Sequence, residues 1–476
     1  MISGYSSIKA VSIAGLSDVE LAMLKELLTV WDKKRSNNAI RAEYYSGHNR
    51  LKDLGISIPP RMRNTRAVVG WPAKAVDALA ARSRFEGFTF ATAPEDDVLA
   101  AIVKANNFRN AYSQAVKSEL IHSCAFITVS AGRKSAGEPS VLLNAYSALN
   151  AAAIWDPRRK RIKCGLTIVE TEEKNAKKPT ALNLYTDGAV LECARGDSGK
   201  WTAHRVAHTH GRPLIEPLVY RPSLDRPFGK SRISKAVMGL TDSAVRQSVR
   251  CEVSAEFFTS PQRYLLGANE EDFDRDRWES YIGALFLASR DESENIPQYG
   301  QLPQGTMQPH IDYMRSLASQ FAGETNIPVS YLGIIHDNPA SAEAIYAASE
   351  ELVIEASDLN DTNGAALRNV ALLALAIHQG RPLGRLEGND LTVMPRFLNP
   401  GRPSIVSQSD AMVKQISAMP WMSGTTVALE QFGYTEEEKL RLLAEKRRAE
   451  AAQALAARGL GMAPLPTIEA GDDAVS

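Results

Sequence analysis

The chain has no apolar run of membrane-spanning length and only four cysteines in 476 residues. A spanning helix needs about 20 consecutive apolar residues, so none is expected and no membrane partner follows. Cys124, Cys164, Cys193 and Cys251 lie far apart with no Cys-x-x-Cys pair, which excludes a zinc knuckle and a dithiol redox motif and leaves buried free thiols. The opening MISGYSSIKAVSIAG lacks a basic start followed by a long apolar block, so an intracellular origin is expected. Net charge is missing as well: Lys plus Arg and Asp plus Glu number 55 each. No global field draws such a chain to DNA, and any contact with DNA must be local or transient. Nor is there a Gly-x-Ser-x-Gly elbow, a P-loop or a His-Glu-x-x-His helix, so the usual sequence signs of a hydrolase, a nucleotidase or a zinc protease are wanting.

What is present reads as a soluble α+β protein of several modules, because 44% hydrophobic and 23% charged residues are globular values and the length exceeds one ordinary core. Ser17 and Glu20 have capping-box spacing, Leu16 and Leu21 can staple the entry, and Leu21, Leu24, Leu28 and Trp31 form a helical stripe. Gly55 and Pro59-Pro60 break the chain before a second amphipathic helix near 66–82. From about 120 to 220, CAFITVS, KCGLTIVE, ALNLYTDGAVLECARG, KWTAHRVAH and PLIEPLVY alternate with Gly, Asp and Asn, the texture of an antiparallel meander. A long helix is expected from Ser231 to Phe258, roughly 40 Å at 1.5 Å per residue, with Ile233, Val237, Val245, Val249, Val253 and Phe257 on a four-residue row that suits oblique packing. Residues 259–306 read as a compact strand, helix, strand insert, followed by a helix near 309–324 opened by Pro309. A helical region to about 379, a strand-like LTVMPRFL and a helical C-terminal region, with Thr435 and Glu438 at capping-box spacing, precede a tail expected to be disordered.

Candidate chemistry is sparse. His204, His208 and His210 in HRVAHTH could share a metal if His208 and His210 alternate on one strand face, which would suit a metal-dependent hydrolase or nuclease; the competing reading is a surface strand with incidental histidines. His336-Asp337 could be half of an acid/base pair, but Asn338-Pro339 reads more simply as a helix cap and first turn. Arg158, Arg159, Lys160, Arg161 and Lys163 form the densest basic run, either a phosphate contact or a solvated hairpin. Glu270, Glu271, Asp272, Asp274 and Asp276 cap and solvate a helix, with partner docking as the second reading.

In order along the chain, YYSGHNRL, PPRMRNTRAVVGWPAKAVDALAARSRFEGF, GRPLIEPLVYRPSLDRPFGKSRISKAV and NIPVSYLGIIHDNPASAEAIYAASEEL together resemble the portal, or head-to-tail connector, proteins of long-tailed bacteriophages. The resemblance spans residues 40 to 400 and implies a portal-protein fold. It divides the chain into N-terminal helices and a β-rich wing (1–228), a stem helix (229–258), an α/β clip (259–306), a second stem helix (307–325) and a tunnel-loop region (326–344). A long helix with a returning wing strand (345–403), a helical crown (404–462) and a tail (463–476) complete it. It implies no catalytic residue, metal or cofactor, and a ring of copies, a dodecamer, around double-stranded DNA read without sequence specificity. The implied partners are a terminase motor, a head-tail adaptor, and major capsid and scaffolding proteins, in a virion assembled in the host cytoplasm. His336, Asp337, Asn338, Pro339, Ala340 and Ser341 take the place of the tunnel loop facing DNA. Lys230, Arg232, Lys235, Arg246 and Arg250 are the candidates for a basic channel lining, and Glu270, Glu271 and Asp272 for partner docking at the clip. A capsid-associated protein that forms no channel is a third reading, separable by particle symmetry.

Overall fold

The computed structural model describes residues 13–48, 67–92, 97–173, 175–196, 198–259, 263–266, 298–301, 305–334, 347–401, 405–434 and 436–457. Two compact units divide at Pro400 and Gly401. The first begins with α1, Asp18–Ser46, whose capping box is complete: Ser17 Oγ accepts from the Glu20 N–H and Glu20 accepts from the Ser17 N–H. Leu24, Leu27, Leu28 and Trp31 are its buried side chains, apart from Asn38, and the Trp31 indole N–H donates to the Leu149 carbonyl at 2.7 Å, so the ring is buried without stranding its donor. The expected second helix is shorter than its pattern, α2 covering Trp71–Ala80. After β1, Phe85–Thr89, come α3, Val98–Ala105, and α4, Phe108–His122.

The meander takes the form of two antiparallel sheets. Strands β2 (Cys124–Ala131), β3 (Val141–Ser147) and β9 (Ile215–Val219) pair in the order β3-β2-β9. Strands β4 (Ala151–Asp156), β5 (Arg161–Glu172), β6 (Asn175–Tyr185), β7 (Ala189–Arg195) and β8 (Trp201–Ala207) run as consecutive neighbours. One face of the five-stranded sheet buries Leu166, Leu182, Leu184, Leu191 and Cys193 against α1, and the other face sends Ala151, Ala153, Ile162, Tyr185 and Val190 into the main core, so alternate side chains serve two cores. Cys124, Cys164 and Cys193 are buried and Cys251 half-buried, all as free thiols.

Helix α5 spans Lys235–Thr259, about 37 Å long. It starts four residues later than the apolar row suggested, because residues 231–233 are committed elsewhere: Ser231 Oγ donates to the Ile121 carbonyl at 2.6 Å and the Arg232 N–H to the Leu120 carbonyl at 2.8 Å. Ser234 then caps, accepting from the Val237 N–H at 3.1 Å. Val237, Val245 and Val249 are buried as the row required, and Thr241 fills its gap by donating to the Val237 carbonyl. Strands β10 (Arg263–Leu266) and β11 (Gln298–Gln301) pair antiparallel, as the two strand-like ends of the insert suggested. Helix α6, Gln308–Thr325, returns along α5, since Ser234 meets Glu324 and Gln247 meets His310. Helix α7, Glu350–His378, packs its apolar stripe on β9 and β2, and β12 (Met394–Phe397) pairs with β1. Among the described residues no helix is long and apolar enough to cross a membrane.

The second unit holds α8 (Ile405–Ala418), α9 (Thr426–Gln431) and α10 (Glu436–Ala457), with Met412, Met422 and Ala428 as its buried centre.

Candidate functional site

The candidate residues fall into three groups, and only one of them gathers. His204 stands exposed on β8 with Nδ1 3.6 Å from Glu192 of β7, whereas β8 ends at Ala207, so His208 and His210 lie beyond the alternation that would have aligned them. Their rings stack on each other at 5.5 Å and are half-buried. Burial lowers the pKa of both, and the neighbouring His210 ring lowers that of His208 further. Among the described residues no group of three or more His, Cys, Asp or Glu is placed to hold a metal ion. The basic run forms the β4–β5 turn, where Asp156 accepts from the Arg158 and Arg159 N–H groups, and Arg159 also pairs with Asp187 at 3.0 Å. That is the solvated hairpin reading in atomic form. His336 to Ser341, with Glu270, Glu271 and Asp272, lie outside the described residues.

Lys235 and Arg250 are exposed on one stripe of α5 with Gly239, Asp242 and the half-buried Arg246, whose neighbour one turn on is the buried Val249. Lys230 is exposed just before the helix. Asp242, the acid of the stripe, accepts from the Tyr44 hydroxyl of α1 at 2.9 Å, and burial, then Asp242, pushes the Tyr44 pKa up to about 12. The stripe therefore presents cations while its one carboxylate is engaged by the body beneath.

Arg232 does not belong with them. It is 5% exposed, and its fork is spent inside the subunit: Nε donates to the Ala75 carbonyl at 2.8 Å, Nη1 to Glu355 at 2.6 Å and to the Tyr220 hydroxyl at 2.9 Å, and Nη2 to the Thr325 carbonyl. Sequence reasoning placed it on the helix face because the helix was drawn from Ser231; with residues 231–233 bound to the end of α4, its side chain turns inward. Glu355 also accepts from the Tyr220 hydroxyl and from Arg221 at 2.8 Å. Burial alone would raise the Glu355 pKa, but Arg232, Tyr220 and Arg221 more than offset it and hold the carboxylate below its ordinary value. Gly229 makes the approach possible: at φ +66°, any Cβ there would stand 2.1 Å from the Tyr220 carbonyl oxygen. Beside this pair opens a groove of about 250 Å³ lined by Arg221, Asn326, Glu351, Ile354 and Asp358.

Among the described residues the remaining candidate cations thus lie along a helix or just before it and not around a cavity. The chain belongs to the phage portal protein family of the SPP1 Gp6-like type, whose sequence profile matches residues 24–451. It is similar to the portal protein of Mycobacterium phage L5, 26% identical over 466 residues, 94% of this chain and 92% of the relative. It is also similar to the portal protein of Mycobacterium phage D29, 27% identical over 451 residues, 92% and 89% of the two chains. Among solved structures, a chain from the neck of an empty GTA particle with C6 symmetry is 14% identical, covers 79% of this chain and 94% of its own, and has a TM-score of 0.46.

Proposed function

We propose that copies of this chain close into a ring at one capsid vertex, a conduit for double-stranded DNA during genome packaging and ejection that also joins head to tail. The observation that carries this reading is the family match, which runs from within α1 to within α10 and so includes both compact units. In this reading residues 1–228 form the wing, and α5 and α6 form the stem around the clip at 259–306. The segment 326–344 carries the tunnel loop, residues 345–403 return to the wing, and residues 404–462 form the crown. The ring is a dodecamer whose two different subunit faces meet by a closing rotation. Lys230, Lys235, Arg246 and Arg250 supply the cations facing DNA, and His336 to Ser341 approach it without strong phosphate binding, so that sliding is not resisted. Glu270, Glu271 and Asp272 dock the adaptor, while a separate terminase motor hydrolyses ATP and capsid and scaffolding proteins surround the wing. The role is structural, in the virion. Native mass spectrometry with negative-stain electron microscopy of the full chain tests it: closed rings with a central hole are expected, and a species that stays monomeric or dimeric at high concentration sinks the proposal.

A further inference from the structure

One side chain, Arg232, touches both the last turn of α6 and the second turn of α7. Helix α6 ends at Thr325, where Asn326 takes a left-handed turn, φ 51°, and the Ile327 N–H closes back on the Ala322 carbonyl. Thr325 itself donates its hydroxyl to the Phe321 carbonyl and gives its own carbonyl to Arg232. In α7, Glu355 lies in the second turn and takes Nη1 of the same guanidinium. The remaining contact, Nε to the Ala75 carbonyl, anchors the fork to α2.

We infer that Arg232 is a positioning residue: by bonding the Thr325 carbonyl and the Glu355 carboxylate at once, it sets the spacing between the last turn of α6 and the second turn of α7, the two helices that flank the intervening chain. Three observations favour this over plain core filling. A buried ion pair often stabilises no better than apolar side chains of the same volume, yet here the donors are spent on three separate helices, at the middle of α2, the last turn of α6 and the second turn of α7. The planar fork meets them at fixed angles, which the single ammonium of a lysine cannot do. Glu355 is further held by the Tyr220 hydroxyl and, from the groove, by the half-exposed Arg221, with Glu351 and Asp358 as the other charges beside it. The inference deepens the conduit reading, since the two helices so held flank the segment that reading assigns to the channel.

Hydrogen exchange on the full-length protein, followed by mass spectrometry, tests it. In Arg232→Lys and Glu355→Gln, the amides of residues 318–327 and 350–359 are expected to exchange about tenfold faster or more, while those of α1 and of β5 and β6 keep their wild-type rates. Tyr220→Phe, which removes the hydroxyl that accepts from Arg232 and donates to Glu355 but leaves the Arg232 bonds to Thr325 and Glu355 in place, is expected to speed exchange at 350–359 more than at 318–327, and it serves where the charged variants fail to fold. Glu119→Gln, a change at another fully buried carboxylate of the same unit, should leave 318–327 unaffected. Uniform acceleration throughout the unit, or none at the two roots, would overturn the assignment. Absence of rings in the wild-type protein would instead sink the conduit reading and leave the exchange result standing.

Discussion

Glu119 is another fully buried carboxyl, and among the described residues no cation pairs with it. On α4 it accepts from the Asn363 amide at 2.9 Å, while the same amide reaches the Tyr112 hydroxyl, itself 3.0 Å from Ser83. Its other oxygen and the Asn363 carbonyl oxygen find no partner among the described residues. Burial raises its pKa from 4.5 to about 8, with the Asn363 bond pulling weakly the other way, so the protein folds with a neutral acid there near pH 7. The folded state then holds a proton that the unfolded state has lost. This contribution to stability is complete below pH 4.5 and disappears as pH rises to about 8. Glu119→Gln should keep the amide bond and flatten that decline, measured as the difference between wild-type and variant unfolding free energies across the window. A variant that follows the wild-type slope would show that another group carries the proton; Glu216, raised to about 7 mainly by burial, is the next carboxyl in line. Nothing in the sequence marks Glu119 as buried and unpaired, because its environment is assembled from residues 83, 112 and 363, far apart along the chain.

At the scale of the element, local signals were legible where the chain itself completes them. The Ser17 and Glu20 cap and the pairing of consecutive strands β4 to β8 depend on neighbours in sequence. The start of α5 was not legible, because what ends the extended stretch at Ser234 is the binding of Ser231 and Arg232 to carbonyls of α4, more than a hundred residues upstream. The same limit hid Arg232 and kept the three histidines from being separated, since the end of β8 at Ala207 is set by its pairing with β7. Even the legible cap has a distant addition: Arg205 of β8 bonds Glu20 at 2.7 Å. Ser17→Ala should cost about 1 kcal/mol, read as a lowered denaturation midpoint with unchanged slope. Arg205→Ala, which breaks a pair whose arginine is half-exposed, should cost less than about 1 kcal/mol. If the two changes ranked the other way, the anchorage of α1 on the sheet would outweigh its cap.

For the whole molecule, zero formal net charge and family membership must be reconciled, because a conduit for a polyanion works only if attraction is weak and local. A strongly basic lumen would gain affinity with every phosphate met and would hold the duplex in place. The α5 stripe supplies Lys235, Arg246 and Arg250 in each subunit, with Arg246 partly occupied by Ser243 at 2.9 Å and Asp242 turned to Tyr44. If that stripe lines the proposed ring, its charge is modest per copy and multiplied only by symmetry. Lys235→Gln, Arg246→Gln and Arg250→Gln combined should therefore leave ring formation intact, since these side chains sit outside the buried valine row. Binding of duplex DNA to the rings, followed against salt, should lose about 0.9 from the magnitude of the log–log slope for each phosphate contact removed. Affinity should fall equally for unrelated sequences, because backbone contacts carry no base information. A slope identical to wild type would assign the channel-facing charge to side chains other than this stripe, and rings that no longer form would turn the same residues from a DNA surface into a subunit interface.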